Sequence, residues 1–390
     1  RDRSVSRGLG DVYKRQGVNS VLKFSAPCIF GLEGLCANEF KFLGLKNVEA
    51  HNGKVTFEGD FSDMAKANIN SRYAERIQIL LAEFEAVSFE ELFEGVKSVA
   101  WEDFIGVNDA FPVKGRCLSS KLMSVPDCQK IIKKAVVTRL SEKYMLPWLE
   151  ESGPLHQIQF LIMNDKVSVM LDTSGAGLHK RGYRAESNEA PIKETLAAAM
   201  ADLSRVRGNH FVVDPMCGSG TILIEAALKA MKIAPGINRY FAAEKWNCVP
   251  SDVWKEQREI AKANEKRDCD FRAEGYDIDE LALEVAKKNA KLAGVADRIT
   301  FAKRDIKDFK LNEGFMTVIT NPPYGERLLD VKSAEELYKV MGEKFKRTQG
   351  KSYTIITPDD DFEKIFGRKA DKRRKLYNGT LKCQLYMYFK

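Results

Sequence analysis

The sequence is poor in the residues that build metal centres and disulfide frameworks. Its 390 residues include four histidines and eight cysteines, and no two cysteines form a C-x-x-C pair. The histidines cluster with neither each other nor the cysteines. Structural zinc sites need such clusters of ligands, so we expect no metal. Each cysteine is expected to be a small buried residue with a reduced thiol.

Long apolar runs are also missing. A membrane-spanning helix needs about 20 consecutive apolar residues, and no run in the chain approaches that length. The run "IQILLAEF" at 77–84 is among the strongest, and Glu83 interrupts it. No signal-peptide pattern is present either. We therefore expect no membrane partner and a cytoplasmic location.

The first 16 residues, "RDRSVSRGLGDVYKRQ", lack a starting methionine and any periodic pattern. They resemble translated sequencing-adaptor read-through, with a disordered basic arm as the alternative, and we expect residues 1–16 to be non-native. They hold five basic and two acidic side chains, so the net charge of +7 falls to +4 without them. This mild basic excess permits a nucleic-acid partner but does not establish one.

What the chain does have is length and an ordinary globular composition. It is 44% hydrophobic and 30% charged, and its length predicts two or three domains. The first part alternates strands and helices, with a hairpin predicted at Asn52-Gly53. A helix is predicted over residues 63–76, and Ser88 with Glu91 predicts a capping box that begins another. The pattern indicates a compact α+β region.

A basic, glycine-rich segment follows. Residues 174–184, "SGAGLHKRGYR", contain almost no aliphatic side chains. We predict that they link two halves of the chain. They form either a solvated joint or a loop in which Lys180, Arg181 and Arg184 face RNA phosphates, and the residues alone leave both interpretations open.

The second half changes character. Short strands such as "HFVVDP", "RAEGYDID" and "MTVITNPPY" alternate with predicted helices, which implies a doubly wound, mostly parallel sheet. Near the end, "KLYNGTLKCQLYMYF" predicts an antiparallel hairpin that turns at Asn378-Gly379. Ligands bind such sheets at the carboxyl ends of the strands. Three polar loops follow the predicted strands at that edge.

The first of these loops is "DPMCGSGT" at 214–221. Its glycines, Gly218 and Gly220, let the backbone come close to a ligand, and the N-terminus of the next helix points at it. The spacing fits neither a dinucleotide fingerprint nor a phosphate loop. The loop therefore favours a nucleotide-like ligand without a pyrophosphate.

Acidic residues mark the other two loops. Asp277 in "GYDID" ends a strand at the position where an acid accepts hydrogen bonds from ribose hydroxyls, and Asp279 is predicted to cap the next helix. Asp305 in "KRDI" is placed to accept a bond from an adenine amino group. Each acid alone fits a helix cap or a surface pair equally well. In a β-α-β unit without insertions, roughly 20 residues separate the ends of the two strands. Far more chain separates Asp214 from Asp277, so residues 232–266 are predicted to be an insertion.

The strongest motif is Asn321-Pro322-Pro323-Tyr324, which directly follows the strand "TVIT". The prolines cannot donate to a sheet and fix a rigid corner. The Asn321 side-chain carbonyl and the Pro322 backbone carbonyl can accept both hydrogens of one amino group. Such bonds free the lone pair of an aromatic amine for attack on an electrophilic methyl. Tyr324 is predicted to stack on the base, and a merely stiffened loop is the alternative.

Together, "DPMCGSGT", "GYDID", "KRDI" and "NPPYGERL" make residues 185–390 resemble a class I S-adenosylmethionine-dependent methyltransferase domain that acts on exocyclic amines. "GLEGL" and "LHKRGYR" make the first half resemble a THUMP RNA-binding domain (residues 66–173) with a ferredoxin-like leader (residues 20–65). The whole chain is similar to the bacterial 23S rRNA guanine-N2 methyltransferases. Some of these carry a second methyltransferase domain; the chain ends at Lys390, and we expect that second activity to be absent.

The resemblance implies a fold, a cofactor and a partner. The fold is a Rossmann-like α/β domain with a mostly parallel seven-stranded sheet and an antiparallel C-terminal hairpin, preceded by the α+β THUMP region. The cofactor is S-adenosylmethionine, and the partner is RNA, either 23S rRNA or a large-subunit precursor. The methyl group goes to the 2-amino group of a guanine.

The resemblance also assigns residues to three roles. The catalytic residues are Asn321, Pro322, Pro323 and Tyr324. The cofactor-binding residues are Pro191, Thr195, Asp214, Pro215, Cys217, Gly218, Ser219, Gly220, Thr221, Asp277, Ile278, Asp305, Ile306 and Asn321. The RNA-binding residues are Lys180, Arg181 and Arg184, and no residue is assigned to a metal.

Other functions remain open. A tRNA guanine-N2 methyltransferase is the first alternative, because THUMP domains are common in tRNA enzymes. An adenine-N6 methyltransferase is the second, although the first half does not resemble a domain that recognises duplex DNA. A non-catalytic RNA-binding assembly factor is the third, and the intact Asn321 and glycine loop argue against it.

Overall fold

The structure is a computed structural model that describes residues 21–184, 192–324 and 331–389. Each half of the chain builds one seven-stranded sheet. The elements of the first half are β1 (Leu22–Pro27), α1 (Glu33–Phe42), β2 (Lys46–His51), β3 (Lys54–Gly59), α2 (Phe61–Asn70), β4 (Gln78–Glu85), α3 (Phe89–Lys97), β5 (Val113–Leu118), α4 (Val125–Tyr144), β6 (Ile158–Met163) and β7 (Lys166–Asp172).

The first sheet joins the two parts that the sequence distinguished in this half. Its strand order is β2-β3-β1-β4-β7-β6-β5, and β4 pairs with both β1 and β7. The pair β5 and β6 is parallel, and the other pairs are antiparallel. The hairpin at Asn52-Gly53 is present as predicted, as is the capping box of Ser88 and Glu91. The residues on either side of β4 therefore share one continuous core.

The helix predicted over residues 63–76 is shorter than expected. It ends at Asn70, and Ser71 is already extended, with φ −68° and ψ 126°. The cause is a tertiary contact, because the Glu39 carboxylate accepts hydrogen bonds from the Ser71 hydroxyl at 2.8 Å and the Arg72 backbone N–H at 2.9 Å. The prediction was wrong beyond Asn70, and residues 71–77 form a loop directed at the second half.

The second half confirms the predicted fold class. Its strand order is β10-β9-β8-β11-β12-β14-β13, in which the first five strands are parallel and the last two form the antiparallel hairpin. The elements are α5 (Glu194–Leu203), β8 (Phe211–Asp214), α6 (Thr221–Ala230), α7 (Ser251–Ala263), β9 (Arg272–Asp277), α8 (Glu280–Leu292), β10 (Ile299–Lys303), β11 (Met316–Thr320), α9 (Val331–Lys344), β12 (Lys351–Thr357), α10 (Phe362–Phe366), β13 (Lys372–Asn378) and β14 (Leu381–Tyr388). No helix within the described ranges is long and apolar enough to cross a membrane.

The C-terminal hairpin turns one residue later than predicted. Asn378 is the last residue of β13 and pairs with Leu381, so the two turn residues are Gly379 and Thr380. Gly379 has a φ of 66° and Thr380 does not have a positive φ, which is the pattern of a type II′ turn with glycine first. The shift makes Asn378 a strand residue whose side chain can reach a neighbouring surface.

Residues 174–184 form a packed joint and not a solvated one. Ser174, Leu178, Arg181 and Tyr183 are all buried. The Arg239 guanidinium, from the second half, donates to three backbone carbonyls of this segment at 2.6–3.0 Å. The two halves are therefore held together by polar groups that are buried between them.

The predicted insertion, residues 232–266, is the second part of that interface. Its helix α7 lies against α2, and Gln257 donates to the Ser62 hydroxyl at 2.9 Å. The Trp246 ring stacks on His156 with a centroid distance of 4.4 Å, and its Nε1 donates to the Leu155 carbonyl at 2.9 Å. The insertion therefore fastens the second half to the first.

Candidate functional site

An open cleft lies at the carboxyl ends of the parallel strands β8, β9, β10 and β11, where the three polar loops meet. Parallel strands bring their following loops to one edge of the sheet, so residues that are far apart in sequence become neighbours. The predicted residues that line the cleft are Asp214, Pro215, Cys217, Gly218, Ser219, Thr221, Asp277, Ile278, Asp305, Ile306, Asn321, Pro322, Pro323 and Tyr324.

The glycine loop depends on two positive backbone angles. Gly218 and Gly220 have φ values of 51° and 78°, a region that glycine adopts without a steric penalty. Gly220 also precedes α6, and a Cβ there would lie 3.1 Å from both the Ala286 Cβ and a carbon of the Phe301 ring. Gly220 thus packs the loop onto α8 and β10 and does not itself line the cleft.

Asp277 connects the glycine loop to the next strand. Its carboxylate accepts the Gly218 backbone N–H at 2.8 Å and the Asp279 backbone N–H at 3.0 Å. Asp279 in turn caps α8 by accepting the Leu281 N–H at 2.9 Å, as predicted. A carboxylate has about four lone-pair positions, so Asp277 retains acceptor capacity on the cleft side.

Asp214 is the most deeply buried acid of the cleft, with 1% of its surface exposed. Its Oδ1 accepts the Met216 backbone N–H at 3.1 Å. Burial, together with the nearby charge of Asp277, raises the pKa of Asp214 to about 7, despite this hydrogen bond. Its charge state is therefore sensitive to a cationic ligand near neutral pH.

Asp305 acts as a helix cap, which was the alternative to a cofactor contact in the sequence analysis. Its side chain accepts the Lys307 backbone N–H at 2.9 Å and caps a short 3-10 turn. It lines the cleft as well, beside Arg304, whose guanidinium lies 3.9 Å from the centre of the Tyr276 ring. The capping function and a contact to a ligand are compatible, because one hydrogen bond leaves the carboxylate other acceptor positions.

Asn321 carries an unsatisfied acceptor. It follows β11, whose five residues are all buried, and its Oδ1 is buried without a hydrogen-bond partner in the described part of the chain. An unpaired buried polar atom costs roughly 1–3 kcal/mol. The atom sits in the cleft wall, so a donor group on a bound molecule would remove this cost.

Tyr324 is held by the C-terminal hairpin. Its hydroxyl accepts a hydrogen bond from Asn378 Nδ2 at 3.0 Å. Burial raises the pKa of Tyr324 to about 12, so the hydroxyl stays neutral. Asn378, Gly379 and Thr380 also line the cleft. Sequence reasoning missed them because the hairpin was predicted only as the end of the sheet.

Among the predicted cofactor residues, Gly220 and Thr195 do not line the cleft. Pro191 lies outside the described residues. Thr195 is fully buried and donates to Glu75 of the first half at 2.8 Å, so its hydroxyl is engaged in the interface between the halves, and its assignment to the cofactor stays a prediction. Burial alone would raise the pKa of Glu75, but hydrogen bonds from His179 and Thr195 and the charge of Lys193 lower it to about 2.

The three basic residues predicted to face RNA differ from one another. Arg181 is buried, and its guanidinium donates to the Leu178 and Arg72 carbonyls at 2.7 and 2.6 Å, with Glu225 at 3.4 Å. It is therefore turned into the protein, which corrects its assignment to RNA. Arg184 donates to the Thr221 hydroxyl at 2.9 Å and braces the glycine loop. Lys180 is exposed.

Three family models match the chain, in the order that the sequence predicted. They are described as the RlmL ferredoxin-like domain, at residues 23–78, the THUMP domain, at residues 86–172, and the RMKL-like methyltransferase domain, at residues 181–387. The last covers more than half of the chain. The chain belongs to the RMKL-like methyltransferase family.

Curated relatives of this family fall into two lengths. The "Putative RNA methyltransferase YpsC" of Bacillus subtilis is 43% identical over 93% of this chain and 95% of its own length. The "Ribosomal RNA large subunit methyltransferase K/L" of Psychromonas ingrahamii is 33% identical over 94% of this chain but only 50% of its own length. The chain thus spans nearly all of the first relative and half of the second.

Solved structures of similar proteins share the whole architecture. SMU.472, solved in complex with S-adenosylhomocysteine, is 42% identical, with a TM-score of 0.89 over 95% of this chain and 99% of its own. A structure from Listeria monocytogenes entitled a "predicted N6-adenine-specific DNA methylase" is 44% identical, with a TM-score of 0.90 over 95% of this chain and 96% of its own. The family and the SMU.472 complex confirm S-adenosylmethionine as the cofactor of the methyltransferase domain.

Proposed function

We propose that the chain transfers a methyl group from S-adenosylmethionine to the exocyclic 2-amino group of a guanine in RNA, with 23S rRNA or a large-subunit precursor as the substrate. The observation that carries the proposal is the buried, unpaired Oδ1 of Asn321 in the wall of the cofactor cleft. An amino hydrogen is the donor that this atom lacks.

The chemistry follows from the position of the acceptor. The cofactor supplies an electrophilic methyl group. Asn321 Oδ1 and the Pro322 carbonyl would accept the two hydrogens of the amino group, so the nitrogen would become pyramidal and its lone pair would be free to attack the methyl carbon. The carbon–sulfur bond of the cofactor would break as the carbon–nitrogen bond forms, S-adenosylhomocysteine would leave, and the methylated nitrogen would release one proton to water. The same oxygens stabilise the positive charge that develops on nitrogen. Tyr324 stacks on the extruded base and orients it.

The cofactor site is supported by the residues that surround it. Asp277 retains acceptor positions beside Gly218 and suits the hydroxyls of a ribose. The space beside Gly218 is open, since a Cβ built there would meet no atom within 4 Å, so a ligand can approach the backbone of the glycine loop. Asp305 and Ile306 line the wall at which an adenine would lie.

RNA is favoured as the substrate by the first half. That half matches a THUMP domain, and relatives of both lengths are named as RNA methyltransferases. The K/L proteins are named for the large ribosomal subunit, which is why we favour 23S rRNA and place the activity in the cytoplasm. The name of the Listeria structure supports adenine-N6 in DNA as a second candidate.

One experiment separates these candidates. The purified chain is incubated with tritiated S-adenosylmethionine and unmodified 23S rRNA, 16S rRNA, tRNA or duplex DNA, and the product is digested to nucleosides. We expect label in N2-methylguanosine from 23S rRNA or its precursor particle. Label in N6-methyladenosine, or label only in tRNA or DNA, would overturn the proposal.

A further inference from the structure

The C-terminal hairpin touches both the catalytic loop and the first half of the chain. At its tip, Asn378 Nδ2 donates to the Tyr324 hydroxyl at 3.0 Å. The hairpin thus holds the Tyr324 ring by its hydroxyl, whereas a stacking ring needs no bond to its hydroxyl.

The hairpin also contacts the turn after β1. The Phe30 ring lies edge-on to Tyr377, with centroids 6.4 Å apart. A Cβ on Gly31 would lie 2.7 Å from the Lys375 carbonyl oxygen, so backbone meets backbone there, and only glycine fits. Leu376, between these contacts, is fully buried.

The turn after β1 is itself fixed within the first half. The Glu33 carboxylate accepts the Gly31 N–H at 2.8 Å and the Gly53 N–H at 3.0 Å. The Phe30 ring covers Gly53, where an added Cβ would lie 3.1 Å from it. The turn is therefore a rigid surface against which β13 packs. Asn378 directly follows residues 375–377, the part of β13 that contacts this turn.

We propose that Asn378 is a positioning residue that sets the Tyr324 ring against the substrate base, and that the first half braces this contact through Phe30 and Gly31. The proposal deepens the proposed function, because it rests on Tyr324 as the stacking residue. Asn378 acts through the tyrosine hydroxyl and does not itself touch the reacting atoms.

The test is a double-mutant cycle with the tritium assay at saturating RNA and cofactor. Asn378→Leu removes the donor and should lower kcat about tenfold, the size expected for the loss of one neutral hydrogen bond. Affinity for S-adenosylmethionine should not change. In a Tyr324→Phe background, Asn378→Leu should have no further effect, because the hydroxyl through which it acts is gone.

Asn378→Asp supplies the conservative variant. Its carboxylate can accept a bond from the tyrosine hydroxyl, so the contact survives with the donor reversed, and kcat should stay within about threefold of the unmodified chain. Asn264→Leu, at an exposed position at the end of α7, is the matched control for an asparagine-to-leucine change. Unchanged kcat for Asn378→Leu, or losses that multiply with Tyr324→Phe, would reject the positioning role.

Phe30→Ala tests the brace from the other side. The Phe30 side chain is 58% exposed, so its removal should leave the unfolding temperature almost unchanged. It should lower kcat severalfold and leave cofactor affinity intact, and the loss should disappear in the Asn378→Leu background. An unchanged kcat would reject the brace.

The assay counts methyl groups whatever base carries them, so a different methylated nucleoside would overturn the proposed function without deciding the role of Asn378.

Discussion

Two regions of the molecule contain buried polar groups: the cleft, and the joint that connects the two halves. The surroundings of these groups differ between the two regions. In the joint, Arg181 meets Glu225, and Glu75 meets His179 and Thr195, so these charged groups have partners from the protein. Buried polar atoms without a partner occur in both regions, as Glu225 Oε2 in the joint and Asn321 Oδ1 in the cleft show. The regions differ in access: Asn321 lies in the wall of an open cleft that a ligand can enter, whereas Glu225 does not line that cleft.

The largest effect should come from breaking the joint. Arg181→Met leaves the Glu225 carboxylate buried beside Tyr183 alone, and breaking a buried ion pair costs roughly 3–5 kcal/mol. We expect the free energy of unfolding in urea to fall by that amount. Lys180→Met, at the exposed neighbour, is the control and should leave it unchanged. A loss of RNA affinity without a loss of stability would return Arg181 to the RNA-binding surface.

The next effect should come from the unpaired acceptor of the cleft. Asn321→Ala should lower the single-turnover rate of methyl transfer about 100-fold or more, because one preorganised hydrogen-bond partner of the transition state is lost. Stability and calorimetric affinity for S-adenosylmethionine should stay close to those of the unmodified chain. Asn321→Asp keeps an acceptor and should retain more activity than Asn321→Ala. A near-normal rate for Asn321→Ala contradicts the mechanism.

A smaller effect is expected at Asp277. Its carboxylate is bonded within the protein, to the Gly218 N–H, and it also lines the cleft. Asp277→Ala removes a partner of Gly218 and an acceptor for the ribose, and should weaken cofactor binding about tenfold or more. Asp60→Ala is the control, since Asp60 caps α2 through the Asp63 N–H and lies in the first half. Unchanged calorimetric affinity for Asp277→Ala would remove that residue from the cofactor site.

The smallest effect concerns the charge of Asp214, whose pKa burial raises to about 7. The ionised form predominates only above that pH, and the sulfonium charge of S-adenosylmethionine favours the ionised form. Affinity for S-adenosylmethionine should therefore rise between pH 6 and pH 8 relative to the affinity for S-adenosylhomocysteine, which lacks the sulfonium charge, by less than about tenfold per pH unit. Calorimetry with both ligands measures the ratio, and in Asp214→Asn the ratio should be independent of pH.

Most of the catalytic and cofactor-binding residues predicted from the sequence line the cleft, because the motifs that contain them are short and local. The glycine loop, the Asp279 cap and the Asn321 corner each lie within a few residues of a strand end, so periodicity and motif spacing locate them. The parallel topology then determines that they meet.

The joint could not be predicted in the same way, because its partners are distant in sequence. Thr195 and Glu75 are 120 residues apart, and Arg181 meets a helix that begins 40 residues later, at Thr221. A buried arginine and an RNA-binding arginine have the same local pattern. Likewise, the register of β13 with β14 makes Asn378 a strand residue and not a turn residue, and the local sequence does not determine that register.

The insertion has a consequence for the order in which the chain acquires its structure during synthesis. Gln257 and Ser62 are 195 residues apart, so the face of α2 that receives α7 stays open to solvent until the ribosome has released more than half of the protein. Closing so long a loop costs only about 0.6 kcal/mol for each doubling of its length. The main difficulty of this contact is therefore its timing and not its entropy. During synthesis the first half must stay soluble with one face of α2 exposed until α7 has been made.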